Sequence, residues 1–191
     1  LSSDSPKILA ETLAFPEVFP LERPSALCQD NSNELNSWRH LITTINAQSD
    51  DILVVVPTTS PLRKKNRIQK VVNMIKVDNN IDGVVCATPA SRHPQFNLLK
   101  RIDNKTDKVV LWDWDKFSAP IRLTRRQDGD NALDLTTVVF AYRVGYLLDC
   151  KSILDGNIHA NIVDMKEALD IDSQEDLDYA RYLVDIYGYD Y

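Results

Sequence analysis

The stretch Ile52 to Arg63, ILVVVPTTSPLR, constrains the fold of this chain more than any other. Its uncharged, β-branched and aliphatic opening predicts a strand buried on both faces. It closes in two prolines, three hydroxyl residues and an arginine, where that strand must leave the sheet. In open α/β folds, ligands sit in the crevice beyond the carboxyl ends of such strands. The hydroxyls of Thr58, Thr59 and Ser60, with Arg63 as a fixed cation, suit an anionic, oxygen-rich ligand there. The same pattern serves equally as a proline-stiffened turn into a helix, so the flanking segments decide between the two.

Those segments alternate strand and helix. Leu1–Asp4 reads as the end of a strand, and Ser5 with Pro6 opens a helix running to about Phe15. Pro16, Pro20 and Pro24 then punctuate an extended connection. From Asn33 to Ala47, Leu35, Trp38, Leu41, Ile42 and Ile45 recur at helical spacing. Ile68, Val71, Val72 and Ile75 mark another helix stripe, and Asp82–Ala87 a second parallel strand. Phe96–Ile102 and Lys108–Trp112 are β-prone runs around Asp103-Asn104-Lys105-Thr106, which predicts a hairpin. Its dense aromatics, Trp112, Trp114 and Phe117, suit an arm that packs on something else, such as another subunit. Thr137–Arg143 returns to a strand. Ser173 and Asp176 have capping-box spacing before a last helix with the stripe Leu177, Ala180, Leu183, Val184 and Tyr187. Alternation of this kind is the α/β signature: a mostly parallel, Rossmann-like sheet flanked by helices, with the hairpin protruding.

The length of 191 residues fits a single domain, and 43% hydrophobic with 26% charged residues is ordinary for a globular protein. A formal net charge of −6 argues against a general nucleic-acid binder. An anionic nucleotide would need local cations or a metal. Cys28, Cys86 and Cys150 are scattered and odd in number, which suits buried thiols in a reducing compartment rather than a zinc or disulfide framework. No apolar run is long enough to span a bilayer and no basic-then-apolar leader opens the chain, so the expected location is cytoplasmic, with no membrane partner.

Candidate chemistry concentrates at the loops. Asp170 and Asp172 stand two apart in an extended segment, so they project to one side. Paired hard carboxylates are a natural seat for Mg²⁺, although acidic residues also collect at helix N-termini for the dipole alone. Arg125-Arg126-Gln127 could clamp a carboxylate or phosphate, or be a solvated turn. His93, in Arg92-His93-Pro94, could hydrogen-bond a ligand at the crevice edge, and Arg23 is held between Glu22 and Pro24. There is no G-x-S-x-G, no G-x-G-x-x-G and no Walker loop.

In this order the stretches resemble the acylneuraminate cytidylyltransferases, the CMP-sialic acid synthetases. PTTSPLR is similar to that family's QPTSPLR loop, and LSSD at Leu1–Asp4 to its VSTD strand end. ERPSALCQD at Glu22–Asp30 resembles RPxxLAxD. DGVVCATPASRHP at Asp82–Pro94 resembles the strand ending in His-Pro, and ALDIDSQEDLDYA at Ala168–Ala180 the IDIDxxxDLxxA motif. The resemblance implies attack of the anomeric hydroxyl of an acidic nine-carbon keto-sugar on the α-phosphate of CTP, with Mg²⁺ required. It implies that Arg23, Thr59 and Ser60 contact nucleotide, and that Arg126 acts catalytically. Gln127, His93 and Thr58 would line the sugar, and Asp170 and Asp172 hold the metal. It also implies a homodimer built on residues 95–126.

The chain departs from that pattern in three places. The L-x-A-R-x-x-S-K triphosphate loop is absent, as though a first strand and helix had already passed. Pro57-Thr58 replaces the leading Gln-Pro, and Asp134-Leu135-Thr136-Thr137 replaces R-x-N-G, reversing a charge near the expected sugar carboxylate. Sialic acid itself is therefore a doubtful substrate. A non-catalytic homologue acting as a binding or dimerisation module is the alternative reading. A keto-deoxy-octulosonate enzyme is disfavoured by its different central loop.

Overall fold

A computed structural model describes residues 1–29, 32–93, 97–101, 107–112 and 132–188. In chain order, β1 (Ser2–Ser3), α1 (Pro6–Ala10), β2 (Leu21–Glu22), α2 (Glu34–Thr44), β3 (Ile52–Val55) and α3 (Arg67–Val77) come first. They are followed by β4 (Gly83–Pro89), β5 (Leu99–Arg101), β6 (Val109–Leu111) and β7 (Leu133–Arg143). The last elements are α4 (Val144–Asp149), β8 (Ile158–Ile162) and α5 (Gln174–Tyr187). The main sheet has the order β3-β7-β4-β8. β7 is antiparallel to β3, with Ile52 opposite Arg143 and Val55 opposite Phe140. Arg143 N donates to Asp82 O, and Ala90 N to Ala132 O, so β4 also runs against β7. Asp82 N donates to Asn157 O, and Val163 N to Ala87 O, so β8 runs with β4. The expected parallel character holds for β3, β4 and β8; β7 is the antiparallel exception.

By its contacts the chain divides into two units, the first being Leu1–Val55, Ile68–Val84 and Phe140–His159. Its helices form where the sequence places them. Asn33 Oδ1 accepts from Leu35 N at 2.9 Å to start α2, which buries Leu35, Trp38 and Ile42. Trp38 lies 5.7 Å from Tyr142 and 6.1 Å from Phe140, centroid to centroid. Gly83 is required here: a Cβ would stand 2.3 Å from the Tyr142 ring. Two arginines tie backbone carbonyls of separate elements together. Arg39 donates to Leu147 O at 2.8 Å and Cys150 O at 2.6 Å, and Arg143 to Ile81 O at 2.9 Å and Ile75 O at 3.0 Å.

Several expectations for this unit need correction. β3 is half-exposed rather than buried on both faces, because among the described residues it pairs along one edge only. The first helix stops at Ala10 and tightens into a 3₁₀ turn over Glu11–Ala14. Ser5 has the backbone of a cap without its side-chain bond; instead Ser5 N donates to Ser3 Oγ at 3.1 Å. Ile45 and Ile68, placed on apolar stripes, are exposed.

The second unit comprises Val56–Arg67, Val85–Val139 and Ala160–Tyr191. Leu62, Ala180 and Leu183 form its buried cluster, with Leu169, Ile171 and Val184 packed on it. The Ser173 capping box is complete, with both reciprocal bonds formed. The helix stripe ends sooner than its spacing suggests, since Tyr187 is 58% exposed, its ring covered from one side by the Lys166 ammonium at 3.2 Å. β5 and β6 pair antiparallel, Leu99 opposite Leu111 and Arg101 opposite Val109, as the hairpin pattern requires.

Candidate active site

The central loop is positioned by its own arginine. Arg63 Nε donates to Val138 O at 2.7 Å and Nη2 to Pro57 O at 2.8 Å, and burial lowers the guanidinium's pKa from its ordinary value. Arg63 therefore straps the loop to β7, and the role of ligand-facing cation expected for it is corrected. Ser60 is fully buried and shares a 2.6 Å hydrogen bond with the Thr137 hydroxyl. The Thr59 carbonyl accepts from Ile171 N at 2.8 Å. Ile171 stands between Asp170 and Asp172, so the two stretches that the sequence singles out are bonded to each other.

The acidic segment is fixed independently by a cluster that sequence reasoning missed. Glu167, with no exposed surface, takes a bidentate pair from Arg67, Nε to Oε1 at 2.6 Å and Nη2 to Oε2 at 2.7 Å. Those bonds to Glu167, which outweigh the effect of burial, raise the Arg67 pKa. Arg67 also reaches Asn161, and Lys64 pairs with Asp164. Burial pushes the Asp164 carboxyl up, but hydrogen bonds from Lys64 and from the Glu167 and Lys166 backbone together bring it below the ordinary value. Asp164 Oδ1 accepts from Lys166 N at 3.1 Å and Glu167 N at 3.0 Å, which turns the chain once before Asp170. Nothing in the spacing of these residues marks them as partners, because Arg67 and Glu167 are a hundred positions apart.

These restraints frame a cavity of about 390 Å³. Thr88 at the end of β4 and Asp134, Thr136 and Thr137 of β7 form one wall. Met165, Lys166, Leu169 and Asp170 form another, and Tyr179 of α5 borders it. Asp170 Oδ1 is buried and has no hydrogen-bond partner among the described residues. Asp134 Oδ2 accepts from Ser91 N at 3.1 Å. The cavity thus gathers two carboxylates and three threonines where the end of β4 meets the start of β7, at the carboxyl edge of β4 where α/β folds take ligands.

The remaining sequence candidates are placed as follows. Thr58 is exposed on the loop, and Asp172 is exposed with its backbone N–H on Asp176 Oδ2 at 3.2 Å. His93 is buried, and its carbonyl accepts from Asn97 N at 2.8 Å. In the other unit, Arg23 donates to Ser2 Oγ at 3.3 Å and Ser2 O at 3.0 Å. Arg126 and Gln127 lie outside the described residues. Thr88, Met165 and Tyr179 were not foreseen; the period-two placement of Asp134 and Thr136 on one strand was the available signal.

Solved structures show the same architecture. The structure of CMP:2-keto-3-deoxy-manno-octonic acid synthetase complexed with CTP matches with a TM-score of 0.65 at 15% identity, over 96% of this chain and 79% of that one. A 4-diphosphocytidyl-2C-methyl-D-erythritol synthase matches with a TM-score of 0.63 at 13% identity, over 96% and 78%. The chain has the fold of these synthetases. No family model matches it. Among curated proteins, post-translational flagellin modification protein B of Campylobacter coli is 26% identical over 188 residues, 96% of this chain and 75% of the relative. CMP-N,N'-diacetyllegionaminic acid synthase of Campylobacter jejuni is 28% identical over 103 residues, 54% of this chain and 40% of the relative.

Proposed function

We propose that the chain transfers CMP from CTP to the anomeric hydroxyl of a nonulosonic acid. The observation that carries this reading is the buried, unpartnered Oδ1 of Asp170, in a segment bonded to the central loop through Ile171 N and Thr59 O. The likeness to a CMP-diacetyllegionaminic acid synthase supports the nucleotide and the sugar class together. The fold shared with a CMP-sugar synthetase complexed with CTP and with a diphosphocytidyl-named synthase supports the reaction type.

In the reaction, the anomeric oxygen bonds to the α-phosphorus while the bond to the bridging β-phosphate oxygen breaks. Pyrophosphate leaves with that electron pair, and the hydroxyl proton is lost to the surroundings. Such transfer rests on positioning and charge neutralisation more than on covalent catalysis.

An oxygen donor of the Asp170 kind fits Mg²⁺, which is held by one or two carboxylates together with waters and substrate phosphates. Among the described residues no group of three or more His, Cys, Asp or Glu is placed to hold a metal. Asp170 would hold the ion, with Asp172 as a second carboxylate; when bound, the ion neutralises triphosphate charge. Asp170 and the strapped loop would set the acceptor against the phosphate, with Thr59 and Ser60 supporting the nucleotide side. Arg23 would contact nucleotide and Arg126 act catalytically, with Gln127, His93 and Thr58 on the sugar side. A homodimer through the hairpin arm is part of the proposal, supported by the exposure of Leu99, Val109 and Trp112.

Pyrophosphate release from CTP and Mg²⁺ with a panel of nonulosonic acids tests the reading. Release with one sugar is expected; silence with every sugar and no CTP binding would favour a non-catalytic homologue.

A further inference from the structure

The polar lining of the cavity offers chiefly hydrogen-bond acceptors. The Thr136 hydroxyl donates its proton to Cys86 O at 3.0 Å, and the Thr88 hydroxyl donates its own to Met165 Sδ at 3.3 Å. Both therefore have only lone pairs left to offer a ligand. Ser60 and Thr137 consume one further proton between them. Asp134 accepts a backbone N–H through Oδ2, and its other oxygen has no hydrogen-bond partner among the described residues. Lys166 and Tyr179 are lining donors, joined by the Thr137 hydroxyl where Ser60 donates to it, and the Lys166 ammonium lies over the Tyr187 ring. Leu135, Met165 and Leu169 add apolar surface alongside.

A phosphate or carboxylate set beside Asp134 would meet like charge and lone pairs. The complement of this wall is a ligand that brings N–H donors and small apolar groups. An acylamino substituent carries both, since its N–H donates and its methyl is apolar. On the reading of the chain as a nonulosonate cytidylyltransferase, we infer that Asp134 is a specificity-determining residue. Its free oxygen accepts the N–H of an acylamino group on the acceptor sugar, and Ser91 N holds the carboxylate in place.

Asp134→Asn isolates this role. The amide oxygen of the variant retains the Ser91 bond, so the loop stays tethered. Its NH₂ replaces the free acceptor with a donor, which opposes a substrate N–H. Two ligands are compared, an N-acetylated nonulosonic acid and its analogue with each acetamido N–H replaced by an ester oxygen. Binding to the full chain is measured by titration calorimetry, and turnover by pyrophosphate release. The wild type should favour the acetamido sugar by about 10- to 100-fold, and the variant should reduce that ratio to within about threefold. An unchanged ratio in Asp134→Asn, no preference in the wild type, or binding of neither ligand would overturn the inference. A preference in binding that depends on Asp134, without turnover, would sustain the inference while refuting the transferase reading. Turnover with a ratio indifferent to Asp134 would do the reverse.

Discussion

Asp170 sets one carboxylate oxygen in the interior without a hydrogen bond, an arrangement that opposes folding unless a ligand uses it. Asp170→Asn should therefore leave the melting temperature unchanged or raise it, while pyrophosphate release falls on the order of 10²- to 10³-fold. Paired melting curves and turnover assays check this; a lowered melting temperature with activity retained would make Asp170 structural. Arginines teach the opposite lesson. Arg23, Arg39, Arg63 and Arg143 each donate to backbone carbonyls, so a cation beside a motif is no evidence of an anionic ligand. The sequence shows that Arg63 ends the central loop, but not that Val138 O and Pro57 O await it. Asp170 was legible because two carboxylates at alternate positions before a capped helix form a local pattern. Asp134 was legible only as a departure from the R-x-N-G of the family that the chain resembles, and its lining role required β7 to be placed beside β4.

Elements defined by local periodicity were the most legible. The α2 stripe as far as Ile42 and the Ser173 cap follow from spacing within a few residues, and both stand in the structure. Asp176 is held below the ordinary carboxylate pKa chiefly by the Ser173 hydroxyl, then by the Asp172 backbone N–H. Because the folded pKa is depressed, the unfolded chain binds more protons in the window just below pH 3.8. The cap's contribution is thus present above that pH and lost as pH falls through the folded value. Asp176→Asn should melt earlier than wild type at pH 7, and the two curves should converge as pH falls through the depressed folded value. Long-range fixation was illegible, as the turn over residues 164–169 shows. Glu167→Ala strands the buried Arg67 guanidinium and should destabilise by about 3–5 kcal/mol in urea unfolding. A loss under 1 kcal/mol would show that the pair does not hold the turn.

At the scale of the whole molecule, the α/β class was readable from alternation, whereas the antiparallel course of β7 was not. Direction depends on how the chain returns after the hairpin, and no periodic pattern encodes that return. Gly83 illustrates the same limit, since its need for a bare backbone comes from the Tyr142 ring on another strand. Gly83→Ala should cost about 1–3 kcal/mol through overpacking, measured by chemical denaturation. An overall charge of −6 gives a triphosphate no general attraction, so the proposed reaction depends on local groups and a cation. Phosphorus NMR of CTP, Mg²⁺ and an N-acetylated nonulosonic acid with the protein tests the central claim directly. The expected result is loss of the β-phosphate signal of CTP, with a phosphodiester and free pyrophosphate appearing in equal amounts. CTP persisting unchanged with every nonulosonic acid tried would contradict it.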